Sequence, residues 1–102
     1  MARKFRRNYA WMPIVWEYLK TRPKDTLWSY EEIINGATLQ GIERYGTPLK
    51  DSSICPNKLQ FSKVMGGQEG IVKVKENYYT PYRWGMNDKY RTSRFERGRV
   101  IR

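Results

Sequence analysis

Two adjacent glycines, Gly66 and Gly67, mark the place where this sequence changes from helical to strand-like spacing. Before them, apolar residues recur three and four positions apart, as on the buried face of a helix. After them comes the β-branched run of residues 70–75 (GIVKVK), which is typical of a strand. Because the glycine pair stops a helix, we predict an α+β protein whose helices precede its strands.

Residues 12–21 have the spacing of an amphipathic helix, with apolar side chains at intervals of three and four. These side chains are Met12, Val15, Trp16 and Leu19. Arg22 and Pro23 end the segment, because the residue before a proline avoids helical backbone angles. The short apolar piece that follows, residues 26–28, is predicted to make one strand pairing.

A second helix is predicted to start at Tyr30, because Ser29 and Glu32 form the capping-box pattern S-x-x-E. In a capping box the serine oxygen accepts from the backbone N–H of the glutamate, and the carboxylate accepts from the backbone N–H of the serine. The helix either closes at Gly36 or runs on through Leu39.

Residues 37–53 fit either an additional helix or a long loop, since Gly41 and Gly46 weaken a helical face there. A further helix is expected over about 54–65, with Pro56 in its first turn. Three polar residues are available as its N-terminal cap, namely Asp51, Ser52 and Ser53.

Two strand-like runs, residues 70–75 and 78–84, flank a polar pair and are predicted to form a β-hairpin. Pro81 indicates that the second run lies at an edge of the sheet, because proline cannot donate a ladder hydrogen bond. Lys73 and Lys75 are two positions apart and are therefore expected to share one face. Arg83 is a candidate to join them from the opposite strand.

Positive charge is concentrated at the two ends of the chain. Residues 1–9 and residues 87–102 each carry +4, whereas residues 10–86 carry +2 of the total of +10. The sequence therefore predicts a basic N-terminal arm, a nearly neutral domain and a basic C-terminal tail. Eight of the ten bases in the two ends are arginines, whose planar fork suits contact with phosphate. A tail charged only for solubility is the alternative.

The side chains that most enzymes depend on are scarce. There is no histidine, and Cys55 is the single cysteine, so the commonest general base is missing and neither a zinc site nor an internal disulfide is expected. The glycines also lack the spacing of a phosphate-binding loop. We therefore expect a protein that is not an enzyme and needs no cofactor or metal. A nuclease built from carboxylates and a lysine stays open, although no spacing of Asp51, Glu69 and Lys73 favours it.

No apolar run reaches the length of about 18 residues that a membrane span requires, so no membrane partner is expected. The N-terminus is basic but lacks the apolar core of a signal peptide, because Pro13, Glu17 and Lys20 interrupt it. The expected location is the cytoplasm, at the nucleoid if the partner is DNA.

The predicted order of helix, short strand, helix, helix and hairpin resembles that of a winged helix-turn-helix domain over about residues 12–84. The resemblance rests on this order, on the capping box of Ser29 and Glu32, and on a hairpin that follows a glycine-ended helix. It implies that residues 10–86 form a small winged helix-like domain with three or four helices. Segment 37–53 departs from the pattern, in which a short turn joins the second and third helices.

The resemblance also implies that the third helix faces the major groove and that the hairpin is the wing. Polar side chains of that helix are then candidates for contact with base edges, and an ordinary solvated face is the alternative. The predicted nucleic-acid-binding residues are Arg3, Lys4, Arg6 and Arg7 in the arm, Asn57, Lys58, Gln60 and Lys63 on the third helix, Lys73, Lys75 and Arg83 on the hairpin, and Arg91, Arg94, Arg97 and Arg99 in the tail.

Charge and resemblance together favour a nucleic-acid-binding protein, with double-stranded DNA as the preferred target and a role as a transcriptional regulator or an architectural protein. The alternative is an interaction protein, of the kind that phages encode, which binds an acidic surface of host machinery such as a polymerase or a nuclease. RNA or ribosome binding is a third reading. Tyr78, Tyr79 and Tyr82 near the hairpin tip are candidates for surface contacts, whereas four residues are expected in the core, namely Trp11, Trp16, Trp28 and Trp84.

Overall fold

A computed structural model describes residues 10–45, 48–96 and 99–101 of the chain. Within these ranges the protein has three α-helices, two antiparallel two-stranded sheets and one 3-10 turn. In chain order the elements are α1 (Met12–Lys20), α2 (Tyr30–Tyr45), α3 (Lys58–Gly67), β1 (Ile71–Val74), β2 (Arg83–Met86), the 3-10 turn (Asp88–Tyr90), β3 (Arg94–Glu96) and β4 (Arg99–Ile101). The predicted α+β class, with helices ahead of a hairpin, is confirmed.

Helix α1 lies at the centre of the core because apolar side chains cover most of its surface. Met12, Val15 and Trp16 are completely buried. The indole N–H of Trp16 donates to the carbonyl of Ser93 at 3.1 Å, so this buried polar group is satisfied. Helix α1 packs against α2 and against strand β3. The core positions predicted for three tryptophans are confirmed, namely Trp11, Trp16 and Trp84, while Trp28 is partly buried at the edge of the core.

The predicted capping box starts helix α2. The backbone N–H of Ser29 donates to Glu32 Oε1 at 2.9 Å, and the backbone N–H of Glu32 donates to Ser29 Oγ at 3.1 Å. Hydrogen bonds that the backbone N–H and the hydroxyl of Ser29 donate to the Glu32 carboxylate, together with the nearby guanidinium of Arg83, hold the pKa of this carboxyl below its ordinary value. Both groups of the motif therefore satisfy N–H groups that a helix start leaves without partners.

Helix α2 does not close at Gly36 but continues to Tyr45, as the longer of the two predicted helices does. The segment 37–53 is therefore divided between the end of α2 and the loop that leads to α3, and no further helix lies in the described part of it. Gly36 has a packing role instead. A Cβ atom at this position would overlap the ring of Tyr18 on α1, so glycine is what allows α1 and α2 to approach.

Gly36→Ala is accordingly expected to lower the free energy of unfolding by about 1–3 kcal/mol, the usual cost of overpacking a tight contact. Helix propensity alone predicts that the substitution raises the free energy of unfolding, since alanine is the better helix former by about 1 kcal/mol. Urea denaturation followed by circular dichroism measures the difference. In a Tyr18→Leu background the cost should largely disappear, because the overlapping ring is gone.

Gly67→Ala is the matched control for this substitution, because a Cβ atom at Gly67 meets nothing within 4 Å. We expect its free energy of unfolding to be unchanged or slightly raised. Equal stability of the Gly36→Ala and Gly67→Ala variants would contradict the packing role of Gly36.

Helix α3 starts later than predicted. Its N-cap is Asn57, whose side-chain oxygen accepts from the backbone N–H of Gln60 at 2.8 Å. The proposed caps at residues 51–53 instead lie in the preceding loop. Pro56 precedes the cap, and its carbonyl accepts from the hydroxyl of Tyr30 at 2.7 Å. The start of α3 is thereby tied to the start of α2.

Strands β1 and β2 form the predicted hairpin. Trp28 adds the single pairing expected of residues 26–28, since its backbone N–H and C=O both bond Trp84 at 2.8 Å. At this point β2 therefore lies between β1 and Trp28, and the prediction that it is an edge strand is wrong there. Strand β2 begins only at Arg83, so Pro81 belongs to the connecting loop, where its missing N–H costs no ladder hydrogen bond.

The described residues of the predicted tail fold onto α1. Strand β3 pairs with β4, with Phe95 opposite Val100. Phe95 is only 4% exposed, and the centre of its ring lies 6.0 Å from that of Trp16. Ser93 is buried as well. The prediction was a separate basic tail beginning at residue 87. The structure differs because a few apolar side chains anchor this segment to the core, although its charge is that of a tail.

Candidate nucleic-acid interface

One face of the β1–β2 hairpin carries two lysines and two tyrosines in contact. The Lys73 Nζ lies 4.1 Å from the centre of the Tyr82 ring. The Lys75 Nζ lies 4.8 Å from the same ring and 5.4 Å from the centre of the Tyr78 ring. Neither lysine makes an ion pair within the described residues. We call Lys73, Lys75, Tyr78 and Tyr82 the lysine–tyrosine array.

The alternation of side-chain directions along the strands puts the residues of the array on one face of the hairpin. Lys73 is opposite Trp84 in the register of the sheet. Lys75, two positions after Lys73, and Tyr82, two positions before Trp84, therefore project to the same side. This is the shared face that the spacing of the two lysines predicted.

The loop between the strands holds two tyrosines in solvent. Tyr78 is 82% exposed and Tyr79 is 91% exposed, and their rings meet edge to face with centres 5.2 Å apart. The side-chain oxygen of Asn77 accepts from the backbone N–H of Tyr79 at 2.9 Å, and Thr80 Oγ1 accepts from the backbone N–H of Asn77 at 3.1 Å. Because these hydrogen bonds already hold the turn, its tyrosine rings are presented at a small cost in conformational entropy on binding.

A cavity of about 270 Å³ lies beside the array, between helix α3 and the hairpin. Its apolar walls are Tyr30, Phe61, Pro81, Tyr82 and Trp84, and we call it the aromatic cavity. Phe61 and Trp84 are buried and meet edge to face with ring centres 5.6 Å apart. Tyr82 belongs both to this cavity and to the lysine–tyrosine array.

Three polar residues complete the lining of the aromatic cavity, namely Glu31, Lys58 and Ser62. The Lys58 Nζ lies 3.4 Å from Glu31 Oε2, and both side chains are more than half exposed. This rim offers an ammonium donor and a carboxylate acceptor side by side. Burial raises the pKa of the Tyr30 hydroxyl, with Cys55 and Glu31 acting in the same direction, so the hydroxyl stays protonated.

The opposite side of the hairpin has a different character. A wider hollow of about 460 Å³ lies there, lined in part by Leu27, Val72 and Val74. Asp25 and Asp88 contribute its charged lining, and Asp88 is paired with Lys24 and Arg91. The two lysines and the tyrosine rings that they contact therefore lie on the side that carries the array.

Arg83 does not join the two lysines as expected. It is opposite Val74 in the register, so its side chain leaves the strand on the face away from Lys73. Its guanidinium instead lies 3.5 Å from a carboxylate oxygen of Glu32, at the start of α2.

Helix α3 presents fewer free polar groups than the sequence suggested. The side-chain oxygen of Asn57 is engaged as the N-cap, and Lys58 is paired with Glu31. Lys63 is exposed and has no ion pair within the described residues. Beside these polar groups the helix exposes Leu59, which is 73% accessible. The hairpin is therefore a better candidate than α3 for the nucleic-acid interface.

Arg91, predicted to bind nucleic acid, makes contacts within the protein. Its Nε donates to Asp88 Oδ1 at 2.9 Å. One terminal nitrogen of the guanidinium donates to two main-chain carbonyls at the end of α1, those of Lys20 and Arg22. The last carbonyls of a helix, such as that of Lys20, lack partners within the helix. Arg91 thus joins the 3-10 turn to α1.

The remaining predicted residues are dispersed. Arg94 and Arg99 are exposed on the second hairpin, where they flank the inward-facing pair Phe95 and Val100. Gln60 lies on α3, where its backbone N–H donates to the helix cap. The other five lie outside the described residues, namely Arg3, Lys4, Arg6, Arg7 and Arg97.

The aromatic cavity has no counterpart among the sequence-based predictions. Phe61 falls within the helix predicted over about 54–65, and Tyr30 was predicted only as the first residue of another helix. Periodicity assigns each of them to its own element. Their meeting with Tyr82 depends on how α2, α3 and the hairpin pack, for which no local pattern exists.

No protein-family model, curated protein or solved structure matches the chain. Across residues 10–45, 48–96 and 99–101, there is no group of three or more side chains placed to hold a metal ion. No helix in those ranges is long and apolar enough to cross a membrane.

Proposed function

We propose that this chain is a non-enzymatic nucleic-acid-binding protein that contacts its target through the lysine–tyrosine array. The observation that carries this proposal is the pairing of two lysines, free of ion pairs within the described residues, with exposed tyrosine rings on one face of a hairpin. Ammonium groups neutralise phosphates, and exposed aromatic rings stack on bases. The array therefore offers both kinds of contact to one strand.

Within this proposal, the hairpin acts as the wing of a winged helix-like domain. The order α1, the single pairing of Trp28, α2, α3 and hairpin supports this reading. The wing then carries more of the binding than α3, because Asn57 and Lys58 are engaged within the protein. Affinity should be dominated by phosphate contacts, with low sequence selectivity, as in an architectural protein. Residues 1–9 contribute +4 to the charge of the chain.

The salt dependence of binding tests the proposal. Fluorescence anisotropy of the full chain with labelled duplex DNA, single-stranded DNA and RNA of equal length should show log affinity falling linearly with log salt. With about six to ten phosphate contacts, affinity should fall a thousandfold or more between roughly 50 and 200 mM salt. An affinity for all three targets that stays flat with salt would overturn the proposal.

An acidic polypeptide of equal charge is the control for this experiment. It presents carboxylates in place of phosphates and has no bases, so it should bind more weakly than any nucleic acid. Equal or tighter binding of the polypeptide would refute nucleic acid as the target and favour an acidic protein surface.

A further inference from the structure

We infer that the aromatic cavity binds one unpaired nucleobase, with the adjoining phosphate held by Lys73 and Lys75. This inference rests on the proposed function and specifies its target. The target is a nucleic-acid strand with bases free to leave the stack, such as a single strand, a loop or an opened duplex. A continuous duplex keeps its bases stacked, so it would contact only the array and leave the cavity empty.

Tyr82 is the residue that connects the cavity to positive charge. Its ring lines the cavity and also lies within 5 Å of both Lys73 Nζ and Lys75 Nζ. A flat ring that enters beside Tyr82 therefore has its attached anion within reach of two ammonium groups. A nucleotide combines these two features, since each base of a strand is linked through its sugar to a phosphate.

The approach of Lys73 to helix α3 reinforces this arrangement. A Cβ atom at Gly66 would lie 3.1 Å from Lys73 Nζ, so the ammonium group lies against the last turn of the helix. Lys58 and Ser62, which line the cavity, are eight and four positions before Gly66 and thus lie on the same side of α3. Along the groove between α3 and the hairpin, the cavity therefore lies beside the first two turns of α3 and the Lys73 ammonium beside its last turn.

The size and walls of the cavity suit one base. Its volume of about 270 Å³ is just below the range of roughly 300–1,000 Å³ typical of sites for drug-sized ligands. Phe61 lies edge to face with Tyr30 and with Trp84, with ring centres 5.1 and 5.6 Å apart. Phe61 and Trp84 are buried and form the floor of the cavity, while the partly buried Tyr30 and the exposed Tyr82 supply the accessible ring surface against which an aromatic group can pack.

The polar rim supplies hydrogen-bonding groups for the edge of a base. The Glu31 carboxylate accepts and the Lys58 ammonium donates, and base edges carry both kinds of group. An exposed ion pair contributes little to stability, so the two side chains can exchange their mutual contact for a base at small cost. The rim would therefore discriminate modestly between bases.

An aromatic side chain next to an acidic residue of a partner protein would present related chemistry. Nucleic acid is favoured because the aromatic surface continues beyond the cavity. Lys75 lies between the rings of Tyr82 and Tyr78, so ring and cation recur along the hairpin. A polymer with a ring and an anion in every unit matches this repetition, whereas the side chains of a peptide alternate in direction.

Ser62→Phe tests the inference by filling the cavity from within. Ser62 is partly exposed, so the added ring removes no core side chain. Leu59→Phe is the matched control, because it places the same ring on the exposed side of α3, outside the lining. Near-ultraviolet circular dichroism and thermal unfolding of the full chain check that both variants fold. Anisotropy then gives their affinities for a single-stranded oligonucleotide and for the same backbone made abasic at every position.

We expect Ser62→Phe to weaken binding of the intact oligonucleotide about tenfold, within the range for loss of one stacked base. Binding of the abasic strand and the slope of log affinity against log salt should not change. Leu59→Phe should bind both strands as the wild type does. In the wild type, the intact strand should quench tryptophan fluorescence more than the abasic strand, because Trp84 lines the cavity; this measurement needs no variant.

The other outcomes separate this inference from the proposed function. If Ser62→Phe binds the intact strand like the wild type, or if intact and abasic strands quench equally, the base site is refuted while salt-dependent binding still supports the proposed function. An equal loss of affinity for both strands would mean that the added ring disturbs phosphate contacts, which also overturns the base site. Failure of the wild type to bind any nucleic acid overturns both proposals.

Discussion

Replacing Lys73 and Lys75 together by glutamine is expected to weaken nucleic-acid binding about tenfold or more and to reduce its salt dependence. Glutamine keeps a polar side chain of comparable length and removes the positive charge. Loss of two phosphate contacts should lower the slope of log affinity against log salt by about 1.4 to 1.8. The effect should be similar for all base sequences, since phosphate contacts carry no sequence information. Anisotropy titrations at several salt concentrations measure both quantities.

The paired substitutions Lys50→Gln and Lys89→Gln provide the control. They make the same change in net charge at two exposed lysines outside the lysine–tyrosine array. We expect a small loss of affinity from the lower overall charge and little change in slope. If the two double variants lose affinity equally, binding depends on total charge and the array is not the contact surface.

Phe95→Ala is expected to lower the free energy of unfolding by about 3–5 kcal/mol, as for other buried phenylalanines. Phe95 is 4% exposed and packs on Trp16 at the centre of the core. The indole of Trp16 also donates to the carbonyl of Ser93, so loosening β3 would weaken that hydrogen bond as well. Chemical denaturation monitored by tryptophan fluorescence gives the change.

Arg94→Ala, one position away, is the control for Phe95→Ala. Arg94 is exposed, and exposed substitutions of this kind usually change stability by less than about 0.5 kcal/mol. A separate basic tail would instead allow both substitutions at no cost. Equal stability of the two variants would show that residues 88–96 do not contribute to the core.

Several features of the fold follow from interactions between near neighbours in the chain. The capping box of Ser29 and Glu32 and the shared face of Lys73 and Lys75 each involve residues two or three positions apart. Their geometry depends on backbone angles within a single element, so composition and spacing were enough to predict them. The hairpin was predicted as an element for the same reason, but its second strand is Arg83–Met86 and not residues 78–84, so residues 75–82 form a loop in place of the predicted polar pair.

The start of helix α3 shows the limit of such local rules. Four polar residues between 51 and 57 are acceptable caps by type, and the sequence does not rank them. Asn57 is the cap in a structure where the hydroxyl of Tyr30 donates to the carbonyl of Pro56, the residue before the cap. That contact joins residues far apart in the chain. It helps to fix Asn57, whose side chain had been assigned to base recognition, as the helix cap.

The sequence by itself determined the α+β class, the order of the helices and hairpin, and a strongly basic chain without histidine. Only the tertiary structure decided which lysine and arginine side chains remain free to contact a partner. It also decided that Gly36 packs against Tyr18, and that Phe95 anchors part of the predicted tail in the core. It also assembled the aromatic cavity from three elements. The physical reason is that local hydrogen bonds and periodicity act over a few residues, whereas burial and ion pairing depend on side chains that only the folded chain brings together.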